Sequence, residues 1–332
     1  MARCRIYLFT YKRNHLLPRA VKSLLDQTFT EWVCEVHNDC PEDSFPAEFI
    51  TSLNDERFVM KNHPVNLGAV VSFNLAFAGC SEPYASILED DNWWEPDFLK
   101  EMMAVMENNP AIKVSWSNMK LWQEEPGNTW TDTGKTTWSY NESRFFEWPH
   151  IKQAINALHS NGAMLYRGQQ ASNYLAPPGT LFNAIELVRE RSFEHPVYLQ
   201  GKPLANFAIT LTSNRDNDRY PWIAIQVMLL ASFIAASPDS GKTMRESLVY
   251  YRLRRPVPTA NFFLANYLIL KESGLYRYLT LTDWLSIGKW LLGNGHKLNY
   301  LKQYLASQRD TYAFLLKQTQ LRYLEAEQHK QN

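Results

Sequence analysis

Cysteine is scarce and gathered at one end: Cys4, Cys34, Cys40 and Cys80 are the four in 332 residues, and no two form a CxxC pair. That spacing offers no paired-cysteine framework. With no signal peptide at Met1-Ala2-Arg3-Cys4, reduced thiols in a cytoplasmic protein are expected. Neither sign of charge prevails, since 34 Lys and Arg balance 34 Asp and Glu. No whole-chain field therefore argues for nucleic acid or an anionic membrane, and partners must be inferred from local sites. No apolar run reaches the ~20 residues of a membrane span. The longest, Trp222 to Ser237, is interrupted by Gln226 and Ser232 and reads as a buried helix. Internal repeats and low-complexity stretches are missing, as is a glycine-rich phosphate loop with a lysine near the N-terminus. What is left is an ordinary globular composition, 45% hydrophobic and 20% charged, long enough for about two domains.

One stretch stands out against that background. Tyr84 to Leu88 is small or apolar and runs into Glu89, Asp90 and Asp91, then Asn92, Trp93, Trp94 and Glu95-Pro96, a helix opening. A buried strand ending in acid sits where open α/β sheets bind ligands, beyond the carboxyl ends of their strands. Alternate residues of an extended segment share a face, so Glu89 and Asp91 can converge. Hard oxygen ligands of this kind suit Mg²⁺ or Mn²⁺ with substrate phosphate. The competing reading is a solvated acidic turn. Upstream, apolar runs at Arg5–Thr10, Trp32–His37 and Arg57–Lys61 alternate with helical periodicity at Leu16–Gln27 and Ala69–Ala78. That alternation predicts a parallel sheet flanked by helices.

In this order the residues resemble the family 2 glycosyltransferases of the GT-A fold. Thr10-Tyr11-Lys12-Arg13 is similar to the family's Thr-Tyr-Asn-Arg turn, and Ser23-Leu24-Leu25-Asp26-Gln27-Thr28-Phe29 to its Ser-Leu-x-x-Gln-Thr-Phe helix end. Asn38-Asp39 stands at the Asp-Asp pair, and Asn66-Leu67-Gly68 with Asn74 and Ala76 at the Asn-x-Gly helix start. Glu89-Asp90-Asp91 stands at the Asp-x-Asp region, and Pro96-Asp97-Phe98-Leu99 completes the pattern. The resemblance covers the first hundred or so residues and thins beyond residue 120.

It implies transfer of a sugar, with inversion, from a nucleotide diphosphate sugar, UDP or dTDP being expected, to a hydroxyl of a saccharide or lipid-linked saccharide. Surface polysaccharide biosynthesis is the implied setting. Thr10, Tyr11, Asp39 and Asn66 would surround the nucleotide, and Arg13 would face phosphate or lie at the surface. The acidic turn admits two registers. Either Glu89 and Asp91 are the motif's two acids, or Asp90 contacts ribose and Asp91 binds Mn²⁺ or Mg²⁺; the second is preferred. The family's catalytic base falls by spacing on Ala184, which cannot serve, so Glu186 is the expected base, with Glu190, Asp216 and Asp218 in reserve. Trp93, His159 and Asn161 are expected on the acceptor side.

Five tryptophans between Trp116 and Trp148 lie in a segment that reads as loop-rich, most of them packing and one or two meeting acceptor. The expected organisation is a nucleotide-sugar half over 1–118, an acceptor half over 119–254 and a helical C-terminal extension over 255–332. That extension could cover the catalytic domain, join copies into a homo-oligomer, or rest on a membrane surface. Two rival readings are a nucleotide-sugar-binding protein without turnover and a nucleotidyltransferase.

Overall fold

The computed structural model describes residues 2–211, 219–254 and 258–331. The chain divides into two compact units, the first made of residues 1–146, 159–175 and 193–214, the second of residues 147–158, 176–192 and 215–332.

In the first unit strands and helices alternate through β1 (Cys4–Thr10), α1 (Leu17–Leu25), β2 (Trp32–Asn38), α2 (Phe45–Ser52), β3 (Phe58–Asn62), α3 (Ala69–Leu75) and β4 (Tyr84–Glu89). Then come β5 (Trp93–Trp94), α4 (Phe98–Asn108), β6 (Val114–Glu125), β7 (Thr129–Thr136), β8 (Arg144–Phe146), β9 (Met164–Arg167) and β10 (Val197–Ile209). All ten strands join one sheet in the order β3-β2-β1-β4-β9-β6-β10-β5, with β7 on β6 and β8 on β10. Strands β3, β2, β1 and β4 are mutually parallel, as are β6 and β10, while β9 runs antiparallel to both β4 and β6. This is the expected mixed α/β class with a mostly parallel sheet.

The sequence accounts for these elements locally. Ile6, Leu8, Ala85, Ile87 and Leu88 are all buried, the continuous apolar run that a central strand covered on both faces requires. In α1, Leu17, Ala20, Val21 and Leu24 repeat at helical spacing and are buried together. Each such leucine contributes about 2 kcal/mol of burial. In α4, Phe98, Leu99, Met102, Met103 and Met106 do the same.

The tryptophan-rich segment departs from expectation. It is a hairpin of β6 and β7 and not a run of loops. Pro126, Gly127 and Asn128 make the turn, where Gly127 and Asn128 take positive φ of 83° and 57°, while Asn118 and Gly134 are accommodated within β6 and β7. The flanking threonines and tryptophans fit a pleated surface. Trp116 is buried against Phe146, with ring centroids 5.6 Å apart.

The second unit is helical: α5 (Ile185–Arg189), α6 (Arg219–Ala235), α7 (Ser240–Arg254), α8 (Thr259–Leu264), α9 (Leu281–Asn294), α10 (Leu298–Ser307) and α11 (Arg309–Gln331). The apolar run from Trp222 is α6, whose Ile223, Ala224, Val227 and Leu230 are buried. Among the described residues no helix is long and apolar enough to cross a membrane.

One buried titratable group on β2 makes the first unit sensitive to acid. His37 lies between aromatic rings, 5.2 Å from Phe9 and 6.0 Å from Tyr7. Its Nδ1 meets His63 Nε2 at 3.1 Å and its Nε2 faces Glu35 at 3.3 Å. Burial lowers its pKa to about 4; Glu35 opposes that shift, and His63 and Lys61 add to it. The unfolded chain, with an ordinary imidazole, binds this proton first as pH falls below about 6.5. Stability is thus lost between about pH 6.5 and 4 and is unaffected by this group above that window. Urea unfolding at pH 7 and 4.5 should show wild type losing about 2 kcal/mol more than His37→Phe. Equal losses in both proteins would refute the assignment.

Candidate donor site at the strand ends

Parallel pairing brings three of the predicted positions side by side. Thr10 closes β1 opposite Asn38, and Phe9 pairs with Glu89. The first residue beyond each neighbouring strand is tied back to β1: Asp39 N–H donates to the Thr10 carbonyl and Asp90 N–H to that of Phe9, both at 3.1 Å. Thr10, Asp39 and Asp90 therefore stand at adjacent carboxyl ends of the sheet.

Asp39 organises the loop that follows β3. Its carboxylate accepts from the N–H groups of Leu67 at 2.7 Å and Gly68 at 3.2 Å. Asn66 Oδ1 accepts from the same Gly68 N–H at 2.8 Å. Gly68 has φ of 76°, a conformation that favours glycine, and it precedes α3 directly. Each carboxylate oxygen carries two lone pairs, so Asp39 keeps capacity for two more donors.

Asp90 and Asp91 differ sharply in setting. Asp90 is wholly buried and accepts from Tyr11 N–H at 3.3 Å. Burial raises its pKa to about 7, against the pull of Arg13 and with a further push from Asp91. The Asp91 side chain is 17% exposed. Arg13 pairs with both, reaching Asp90 at 2.6 Å and also Asp91. Burial lowers the Arg13 pKa, but Asp90, Asp91 and Glu89 outweigh it and hold the guanidinium above its ordinary value. Glu89 accepts from Asn92 Nδ2 at 2.6 Å, and Asn92 Oδ1 accepts from Ala208 N–H on β10 at 3.0 Å.

Three features here went unmarked in the sequence. Arg19 on α1 lies between two indoles, its guanidinium carbon 3.8 Å from the ring centroids of both Trp93 and Trp130, and it donates to the Asp91 carbonyl at 2.8 Å. Burial lowers its pKa to about 10, with Asp91 and Glu124 opposing. Gly162 packs where a Cβ would come within 2.8 Å of Asn92 Nδ2 and 3.1 Å of Glu89 Oε2. Asn92 itself links Glu89 to β10. The only hint of the first was an arginine in an otherwise apolar helix start; the other two depend on partners distant in the chain.

The acceptor-side candidates lie in the same unit. Trp93 is half-buried and stacked on Arg19. His159 is buried, edge-on to Phe193 at 4.8 Å, and Asn161 is buried at the start of a short 3₁₀ turn. Glu186 is in the second unit, half-buried in the first turn of α5. Its neighbour Glu190 is buried, accepting from Leu158 N–H at 2.7 Å and Gln153 Nε2 at 2.9 Å. Asp216 and Asp218 lie outside the described residues.

No three His, Cys, Asp or Glu side chains among the described residues form a ready cage for a metal ion. Magnesium and manganese need only one or two protein carboxylates when water and phosphate complete the shell. Asp91, acidic, 17% exposed and two residues beyond Glu89, fits such a role by donor chemistry, with its carboxylate here paired with Arg13.

Comparison with known proteins bears on this geometry. Residues 6–167 match the profile of glycosyl transferase family 2. A protein of Escherichia coli K12 named as a colanic acid biosynthesis glycosyl transferase, WcaA, is 31% identical over 100 residues, 30% of this chain. The matched region spans 36% of that relative's length. Among solved structures, Staphylococcus aureus TarS 1-349 in complex with UDP is similar over 98% of this chain and 92% of its own, with TM-score 0.55 and 13% identity. Its complex with UDP-GlcNAc gives 96%, 91%, 0.56 and 12%. At that identity the likeness is one of fold.

Proposed function

We propose that the chain, whose residues 6–167 match the profile of glycosyl transferase family 2, moves a sugar from a nucleoside diphosphate sugar to a hydroxyl of a saccharide or lipid-linked saccharide, with inversion, in surface polysaccharide assembly. UDP or dTDP is the proposed nucleotide. The observation that carries the reading is the row of Asp39, Asp90 and Asp91 at adjacent carboxyl ends of parallel strands, with Arg13 bound to two of them. The names of WcaA and of the two TarS complexes support the substrate class.

In this reading residues 1–118 form the donor half and 119–254 the acceptor half. Thr10, Tyr11, Asp39 and Asn66 surround base and ribose, and Asp90 accepts from a ribose hydroxyl. Arg13, with its side chain 27% exposed, has the charge and reach to face a diphosphate oxygen. Asp91, with Glu89, would hold Mg²⁺ or Mn²⁺, which when bound neutralises the departing diphosphate. Glu186 is the proposed base, taking the proton of the acceptor hydroxyl as its oxygen attacks the anomeric carbon and the bond to diphosphate breaks. Trp93, His159 and Asn161 are assigned to the acceptor side.

Titration calorimetry with UDP, dTDP and GDP, each with and without Mn²⁺, tests the donor site. One nucleotide should bind at least about tenfold more tightly with the ion. If none binds under either condition, the acidic turn is a solvated loop and the reading is lost.

A further inference from the structure

Helix α9 is amphipathic in the wrong sense for a helix packed only against its own unit. Its inner face, Asp283, Ile287 and Trp290, is buried, as packing demands. The opposite face should be polar. Instead Leu281, Leu285 and Leu292 stand 76%, 66% and 92% exposed. Spacings of four and seven residues align them in one row along the helix. Trp284 adjoins that row, also exposed, its ring braced by Phe263 at 6.0 Å and Tyr276 at 5.9 Å. The helix is firmly built beneath them, opening with a capping box between Thr280 and Asp283.

The stretch of chain that carries the row has an excess of positive charge. Between residues 271 and 302 the cations are Lys271, Arg277, Lys289, Lys297 and Lys302, against two acids, Glu272 and Asp283. Asp283 is buried and paired with Arg252, so it does not offset the surface charge. Glu272 alone remains exposed among the acids. The chain as a whole is neutral, so this excess is local.

From this juxtaposition we propose that the exposed leucine row of α9 and its flanking lysines dock the second unit onto an anionic lipid surface. Leucines and a tryptophan on one face with lysines beside them is the pattern of a helix lying in a bilayer interface. Charge argues against a second copy of the chain as occupant. A twofold contact through this face would bring Lys289 and the positive excess of one copy towards those of the other.

The test is sedimentation of the full chain with phosphatidylcholine vesicles, with and without phosphatidylglycerol. The chain should pellet with the anionic vesicles, and added salt should weaken binding. The Leu285→Asp/Leu292→Asp double variant should bind at least about tenfold more weakly. Both positions face solvent, so its circular dichroism and unfolding midpoint should stay those of wild type. Lys289→Glu, which leaves the leucines in place, should weaken binding to the anionic vesicles alone. Failure to pellet with either vesicle would overturn the proposal, as would undiminished binding by the double variant. So would analytical ultracentrifugation in which wild type is a dimer and the double variant a monomer, since the occupant would then be a second copy.

Discussion

Asp91→Asn should lower sugar transfer by about 10³-fold, equivalent to ~4 kcal/mol of transition-state stabilisation, while leaving the chain folded. Position in the turn supports the assignment. Arg13 pairs with both carboxylates, but Asp90 is wholly buried and also accepts from Tyr11 N–H, whereas the Asp91 side chain is 17% exposed. Its replacement by the isosteric amide keeps the backbone carbonyl that Arg19 holds. Arg13 retains Asp90 as partner, so the stability cost should stay below about 1 kcal/mol. The same calorimetry used for wild type supplies a readout separate from turnover: the Mn²⁺-dependent part of nucleotide binding should vanish in Asp91→Asn. A variant that transfers sugar at the wild-type rate would remove Asp91 from the site altogether. Asp90→Asn makes the contrast: burial already raises the Asp90 pKa to about 7, so losing its charge should weaken nucleotide binding with stability at neutral pH little changed.

How far this site could be read in advance depends on where each residue's partner lies. The strands were legible because a parallel strand covered on both faces is a short apolar run, and Tyr84–Leu88 and Arg5–Thr10 are such runs. Their acidic and polar endings at Glu89–Asp91, Asp39 and Thr10 followed with them, since parallel register lines up strand ends. The ties that brace those ends were illegible. Arg19 meets Trp93 and Trp130, Gly162 meets Glu89 and Asn92, and Asn92 meets Ala208, each across scores of residues that no local pattern connects. The β6–β7 hairpin was misread because the Gly, Asn, Thr and Pro among the tryptophans read together as loop, whereas the threonines at Thr129–Thr136 belong to a strand. The base was hardest, since Ala184 breaks the resemblance at the position that matters, and a first-turn glutamate such as Glu186 is equally at home as a helix-dipole partner.

Replacing the two glutamates of that region should separate structure from chemistry. Glu190→Ala is expected to destabilise the second unit by about 3–5 kcal/mol. The carboxylate it removes accepts from Leu158 N–H and Gln153, so a buried donor is left without its acceptor. It also removes the charge that offsets Arg191, a fully buried guanidinium whose pKa burial lowers to about 10 against the pull of Glu190. Arg191 donates to Thr319 at 2.9 Å and to the carbonyls of Gln153 at 2.6 Å and Leu229 at 3.1 Å, tying α6 and α11 to the segment before residue 158. A cation held that way cannot leave with its partner, so the loss falls on folding. Glu186→Gln, at a half-buried position, should change unfolding free energy by less than about 0.5 kcal/mol. Its effect should appear in kcat, with nucleotide affinity unchanged, if it takes the acceptor proton. Urea unfolding and transfer rates measured on both variants give opposite signatures, stability lost in one and turnover in the other. Should Glu190→Ala fold as stably as wild type and lose turnover alone, Glu190 would become the base and the buried network around Arg191 would need another source of stability.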